Sequence, residues 1–235
     1  MADTRIDGVL RIGTAFPDPP FDLMDQDEAN GFDIALMRAV AARLKLEPEF
    51  VPFTGADFND IFAGLDDGSW DCVASGATIT PERQARADFA EPYIVSGQSL
   101  VAAPGRHPAL RSLDDLAGLV IGVQKGNTSE PVAERLKREG RVADVRLYPY
   151  HGIGDMLGDV EAGRIAAAMK LEPVMRWLIR SRPALRIVQA GITEERLAVS
   201  VRRGNAGLLQ AIDQAQAALK ADGTLAALLA RWVPS

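Results

Sequence analysis

Asp71-Cys72-Val73-Ala74-Ser75-Gly76-Ala77-Thr78-Ile79-Thr80-Pro81-Glu82-Arg83 begins as a short apolar run and ends as a helix start. Asp71 to Gly76 predicts a buried strand. Thr80 is a good cap, Pro81 fits the first helical turn, and Glu82 complements the helix dipole. A buried strand running straight into a helix is one step of an α/β alternation, in which ligands bind outside the carboxyl ends of strands. Gly76, beside Ser75, lets backbone approach a small ligand closely. Thr78 offers a hydroxyl, and Arg83 offers a planar, two-pronged donor that fits a carboxylate. The same residues also read as an ordinary capped helix start with Arg83 paired to a surface acid.

Working outward, the alternation continues on both sides. Val9–Gly13 predicts a strand, followed by the Pro-rich turn Phe16-Pro17-Asp18-Pro19-Pro20-Phe21. Ile34, Met37, Val40, Ala41 and Leu44 recur at helical spacing. Glu49–Phe53 is a second strand, and Asp57–Leu65 a helix with Phe58, Ile61, Phe62 and Leu65 on one face. Downstream, Tyr93–Ala102 is extended, and Ser112-Leu113-Asp114-Asp115 resembles a capping box before a short helix. Strands are expected at 120–123, 145–148, 165–169 and 185–188, with helices at 131–138, 153–162 and 173–180. One long strand, 195–202, then precedes two amphipathic helices, 206–219 and 224–232. Such alternation predicts mainly parallel, buried sheets flanked by helices.

The chain has 235 residues, 47% of them hydrophobic and 25% charged, with a net charge of −6. Enough apolar surface is present to fold, and no apolar run approaches the ~20 residues that span a bilayer. The acids concentrate before residue 104 and the bases between 104 and 190, while all eight Phe lie between Phe16 and Phe89. That asymmetry implies two bodies in one chain. A mildly acidic protein without a basic stripe is a poor nucleic-acid binder. A single cysteine, Cys72, excludes an internal disulfide and a multi-cysteine metal site, and Cys72 itself reads as a core residue. His107 and His151 read as loop residues far apart, so neither metal nor cofactor is expected. The start, Met1-Ala2-Asp3-Thr4-Arg5, carries no apolar secretory segment: a cytosolic chain, or one whose leader or anchor has been removed.

Two further constellations could bind a ligand. In Gly122-Val123-Gln124-Lys125-Gly126-Asn127-Thr128-Ser129-Glu130 a strand passes through a glycine turn into a helix start, where N–H groups can hold an anion. An ordinary turn capped by Thr128 or Ser129 fits equally, and the Gly-Lys-Ser/Thr ending of a P-loop is missing. Phe58, facing the Pro-rich loop, could wall a pocket or simply be core, as Phe21 more readily is. Asp18, between prolines, could meet a cation or be a solvated turn residue.

Taken in order and spacing, these residues resemble the bacterial extracellular solute-binding proteins, family 3, which bind polar amino acids. The landmarks are Leu10-Arg11-Ile12-Gly13-Thr14, Pro19-Pro20-Phe21, Gly31-Phe32-Asp33-Ile34, Trp70–Gly76, Thr78–Arg83, Asp88-Phe89-Ala90-Glu91-Pro92-Tyr93, Ser112–Gly118, Gly122-Val123-Gln124 and Ala221-Asp222-Gly223-Thr224. The resemblance implies a type II periplasmic-binding-protein fold of two α/β lobes joined by two crossing strands, closing on ligand like a hinge. Lobe 1 would comprise 1–102 plus 192–235, and lobe 2 103–191. The opposite charges of the lobes would modestly favour closure, an effect that salt should weaken in scattering measurements.

It also implies roles: Arg83 and Thr78 on an α-carboxylate, the Gly76 region facing an α-ammonium, Asn127 and Thr128 adding donors, and Phe58 stacking on the ligand. The usual aspartate two residues before Pro173 is here Leu171, the first-lobe acid just after Gly-Thr is Ala15, and Asp18 replaces an aromatic. A buried ammonium without a partner costs several kcal/mol, so Asp18 or Glu172 supplies that charge, or the ligand lacks the amine. Lys125, Lys170 and Asn127 are candidates for selectivity.

The reading implied is a monomeric periplasmic or extracellular receptor of an ABC importer. It would bind a carboxylate-bearing ligand for a membrane permease and perform no catalysis. Two alternatives stand: a cyclohexadienyl-dehydratase-like enzyme, with Glu172 as a candidate acid, and the ligand-sensing domain of a membrane signalling protein.

Overall fold

The computed structural model describes residues 4–26 and 28–233. The first three residues, read above for a leader, lie outside them. The chain divides into two α/β units. The first unit takes the described residues up to Thr54, Asp60–Val95 and those from Arg196 onward; the second takes Gly55–Asn59 and Ser96–Glu195. The exchange thus falls before the expected residue 102, because Gln98–Ala102 is an inner strand of the second sheet, hydrogen-bonded on both sides. The chain crosses within two short strands, Ile94–Ser96 and Glu195–Leu197, that pair with each other.

The first unit holds a five-stranded sheet in the order Glu47–Pro52, Val9–Thr14, Cys72–Val73, Ser200–Arg202, Ala87–Phe89. The first three strands are parallel, and Ser200–Arg202 runs antiparallel to both its neighbours. The expected strand at 71–76 shortens to two residues because the chain turns away through Gly76, at φ +57°. The single strand expected over 195–202 splits: Glu195–Leu197 joins the crossing pair and Ser200–Arg202 enters the sheet. Helix Phe32–Leu44 buries Ile34, Met37, Val40 and Ala41, the stripe its 3.6-residue spacing dictates. The expected helix at 57–65 begins as a tighter 3-10 turn, Phe58–Phe62, before Ala63–Asp67. Trp70 fills the space over Gly13 and Gly64, where any Cβ would sit within 2.6 Å of the indole, and its N–H donates to Ile61 O at 3.1 Å.

The second unit orders its strands Asp144–Tyr148, Val120–Gln124, Ala167–Leu171, Gln98–Ala102, Arg186–Gln189. Here too the first three strands are parallel, and Gln98–Ala102 runs against both neighbours. Leu100 and Ala102 enter one apolar cluster and Val101 and Ala103 the other. That period of two, apolar on both sides, is the signature of a sheet covered on both faces. Ser112 and Asp115 form the expected capping box, and helix Ile153–Ala162 ends at Gly163, at φ +75°.

Candidate functional site

In the first unit, the Pro-rich loop is pinned to the start of helix Phe32–Leu44. The N–H groups of Phe32 and Asp33 donate to the carbonyls of Pro20 and Phe21 at 2.8 and 2.9 Å. Gly31 must be glycine: it sits at φ +117°, and a Cβ would lie 2.4 Å from Phe21 O. Within the loop, the Asp18 N–H donates to the Asp22 carboxylate at 2.9 Å. Ser75 Oγ donates to Asp22 at 2.6 Å and accepts the Ala15 N–H at 3.1 Å. Asp33 accepts the Gly76 N–H at 2.6 Å and the Tyr93 hydroxyl at 3.1 Å.

Asp18, Asp22 and Asp33 are all buried and near enough to repel. Burial and the Asp18 charge push the Asp22 carboxyl well above the usual range, against the Ser75 hydrogen bond. Burial pushes Asp33 up to about 7, against the Gly76 and Tyr93 donors. Sequence reading placed Asp33 in a helix and passed over Asp22. The cluster forms only when three distant segments fold together.

Thr80 caps the helix Pro81–Gln84 as expected, its hydroxyl accepting the Arg83 N–H at 3.2 Å. Arg83 itself is 4% exposed. One nitrogen of its guanidinium donates to Thr78 O at 3.0 Å, and its face lies 5.6 Å from the Phe62 ring centre. Thr78 is buried too, bridged to Leu197. The first unit therefore gathers Asp18, Ser75, Gly76, Thr78 and Arg83 around the end of Cys72–Val73 and the loop it meets. Arg83 is not a solvated side chain on a surface acid.

In the second unit, strand Val120–Gln124 leads into Gly126, at φ +75°. Its N–H donates to the Glu130 carboxylate at 2.7 Å, so one donor of this turn already holds an internal anion. Thr128 occupies the cap position without capping. Its hydroxyl instead accepts from Gln98 Nε2 at 3.0 Å and donates to Glu195 at 2.7 Å. Glu195 also receives Gln98 and Thr193, each at 2.8 Å. The neighbouring Asn127 Nδ2 is buried with no hydrogen-bond partner in the protein.

Segment Gly55–Asn59 packs on this turn. Phe58 N donates to Lys125 O at 3.3 Å, Tyr150 N to Ala56 O at 2.8 Å, and Lys125 pairs with Asp57 at 3.8 Å. The Phe58 and Tyr150 rings stack 5.1 Å apart at 34°, and Lys170 Nζ lies 5.4 Å from the Tyr150 ring centre. Phe58 thus groups with Asn127 and Thr128 rather than with lobe 1, where the sequence placed it. Glu172 pairs with Arg176 at 2.6 Å, one helical turn on. That spacing was the available signal for a helix-surface ion pair. Leu171 before it is buried. Tyr150 carried no sequence signal. Lys170 carried one, a lysine inside the apolar run Ala166–Leu171.

Among the described residues no cluster of His, Cys, Asp and Glu is arranged to hold a metal ion, and no helix is long and apolar enough to cross a membrane. The two mixed α/β units, with a buried arginine at a strand-to-helix turn, define a ligand-binding α/β protein of the periplasmic-binding-protein fold. The model of the bacterial extracellular solute-binding proteins, family 3, matches residues 10–235, and the chain belongs to that family. It is 29% identical to the L-cystine-binding protein TcyJ of Escherichia coli K12, over 96% of this chain and 82% of the relative. Among solved structures, an ancestral arginine-binding protein bound to arginine superposes with a TM-score of 0.88 at 33% identity, covering 96% of this chain and 98% of that one. The ancestral amino-acid-binding protein AncCDT-1, a precursor of cyclohexadienyl dehydratase, superposes with a TM-score of 0.84 at 31% identity, over 96% and 95% of the two chains.

Proposed function

We propose that this chain is a monomeric extracytoplasmic receptor that delivers a small carboxylate-bearing ligand, an amino acid or a close relative, to the membrane permease of an ABC importer. Membership of the family supports the receptor role, and relatives named for binding cystine and arginine support the ligand class. The observation that carries the ligand class is Arg83: a buried guanidinium at the end of a sheet, beside the Thr78 hydroxyl, matches a carboxylate. In this reading Arg83 and Thr78 take the carboxylate, and Gly76 and Ser75 shape the backbone around it. Asp18 supplies the charge that an α-ammonium needs. Asn127 and Thr128 add donors from the second unit, and Phe58 gives an apolar wall. Glu172, held by Arg176, is left to the helix surface.

Thermal unfolding against a panel of amino acids and organic acids tests this. Ligand at 100 times its dissociation constant adds about 2.7 kcal/mol of stability. Arg83→Ala should abolish the shift while leaving the unliganded protein folded. No shift from any carboxylate sinks the reading. Incubation with prephenate or arogenate should yield neither phenylpyruvate nor phenylalanine; either product would favour the dehydratase alternative that the likeness to AncCDT-1 keeps in view.

A further inference from the structure

Lys170 is 2% exposed, on a strand whose five residues are all buried. Strand Ala167–Leu171 runs parallel to Val120–Gln124, so both deliver their carboxyl ends to one edge of the second sheet. From that edge Gln124 leads into Lys125–Thr128, and Leu171 leads into helix Glu172–Leu178. Ligands of open α/β sheets collect at such carboxyl edges. The acids that belong to it are held by named donors: Glu195 by Thr128, Gln98 and Thr193, Glu130 by the Gly126 N–H, Asp57 by Lys125 and Glu172 by Arg176. Leu171, next to Lys170, is apolar and adds no charge. What this edge offers a ligand is a buried ammonium beside the stacked rings of Tyr150 and Phe58. Burying an ammonium costs several kcal/mol unless its charge is matched, so a buried cation at a ligand edge selects for negative charge.

We propose that Lys170 is a specificity-determining residue that receives a second anionic group of the ligand, so that this receptor takes an acidic amino acid or a short dicarboxylate in preference to a neutral or cationic amino acid. The inference rests on the reading of Arg83 as the partner of the first carboxylate. It separates this chain from relatives named for cystine and arginine.

Isothermal titration of the purified protein with L-glutamate, L-aspartate, 2-oxoglutarate, succinate, L-glutamine and L-arginine decides it. One charge-assisted hydrogen bond is equivalent to about 10–100-fold in affinity, the expected advantage of glutamate over glutamine. Lys170→Met should erase that advantage while leaving glutamine binding unchanged, and Lys170→Arg should keep it. The dicarboxylates without an amine separate the two ligand sources: tighter 2-oxoglutarate than glutamate assigns a dicarboxylate, the reverse an acidic amino acid. Arginine or glutamine binding as tightly as the acidic ligands overturns the inference and leaves the carboxylate reading standing. An acidic preference that survives in Lys170→Met also overturns it. Failure of every carboxylate overturns both.

Discussion

Thr128 stands where its helix needs a cap, yet its hydroxyl donates to Glu195, 67 residues away, at 2.7 Å. The helix loses a local bond, and the site gains a hydroxyl fixed from both sides, since Gln98 Nε2 donates to the same oxygen. Ser129 Oγ, the other candidate cap, is buried with no hydrogen-bond partner in the protein.

Thr128→Val keeps the volume and removes the donor. Glu195 is buried, so a lost hydrogen bond to its carboxylate should destabilise the protein by about 1–3 kcal/mol in urea unfolding, while Thr128→Ser should stay near wild type. If valine is tolerated without loss, the Gln98–Thr128–Glu195 network is not a source of stability.

Asp33 gives a pH dependence with a defined sign. Its carboxyl titrates at about 7 in the folded protein, against about 4 in the unfolded chain. Between those values the folded state holds a proton that the unfolded state has lost. Stability should therefore be full below pH 4 with respect to this group, fall as pH rises towards 7, and level off above. Each pH unit crossed removes up to about 1.4 kcal/mol. Asp22, raised in the same direction, adds to the trend. Asp33→Asn keeps an acceptor for the Gly76 N–H and should flatten the fall. Urea midpoints at pH 5 and pH 7.5, for both proteins, measure it; a parallel pH response in the two would refute the assignment.

The parts legible in the sequence were those governed by local rules. The Thr80–Pro81 start, the Ser112–Asp115 box and the glycine stop at 163 each depend on residues within one turn, and each formed as expected. Arg83 was legible because its residue type and its place after a strand coincide. The acidic cluster was not, because Asp22 and Asp33 meet Ser75, Gly76 and Tyr93 across 43 to 60 residues, and nothing local marks that encounter. Thr128 was read as a local cap because the competing acceptor, Glu195, comes from a strand near the far end of the unit. The position of Phe58 was missed for the same reason: its partners, Lys125 and Tyr150, lie on loops after two other strands.

Gly126 is demanded by its surroundings. At φ +75° an alanine is strained, and its Cβ would stand 2.1 Å from Asp57 Oδ1 and 2.6 Å from Phe58 N. Gly126→Ala should cost about 1–3 kcal/mol and displace the Gly55–Asn59 segment. Removing the side-chain clash with Asp57→Ala in the same chain should not restore stability, because the backbone of Phe58 and Asn59 still blocks the site. Recovery in the double variant would show that the aspartate alone sets the requirement.

Trp70 and Gly64 offer a cleaner separation of contact from conformation. Gly64 lies in helix Ala63–Asp67, where alanine is the better helix former, so on backbone grounds Gly64→Ala should stabilise by about 1 kcal/mol. The space forbids it: the new Cβ would sit 2.2 Å from the indole, and Trp70 is held by its bond to Ile61 O and by its edge-on contact with Phe53. Overpacking costs about 1–3 kcal/mol, so the net effect should be destabilising. Trp70→Phe alone should also destabilise, through the vacated volume and the lost hydrogen bond to Ile61. In the double variant the smaller ring makes room for the methyl group and the methyl group refills part of the vacated volume. The two losses should then not add, and the double variant should be more stable than their sum by about 0.5–3 kcal/mol. Additive losses in a denaturant-unfolding cycle would mean that Gly64 is required by something other than the tryptophan.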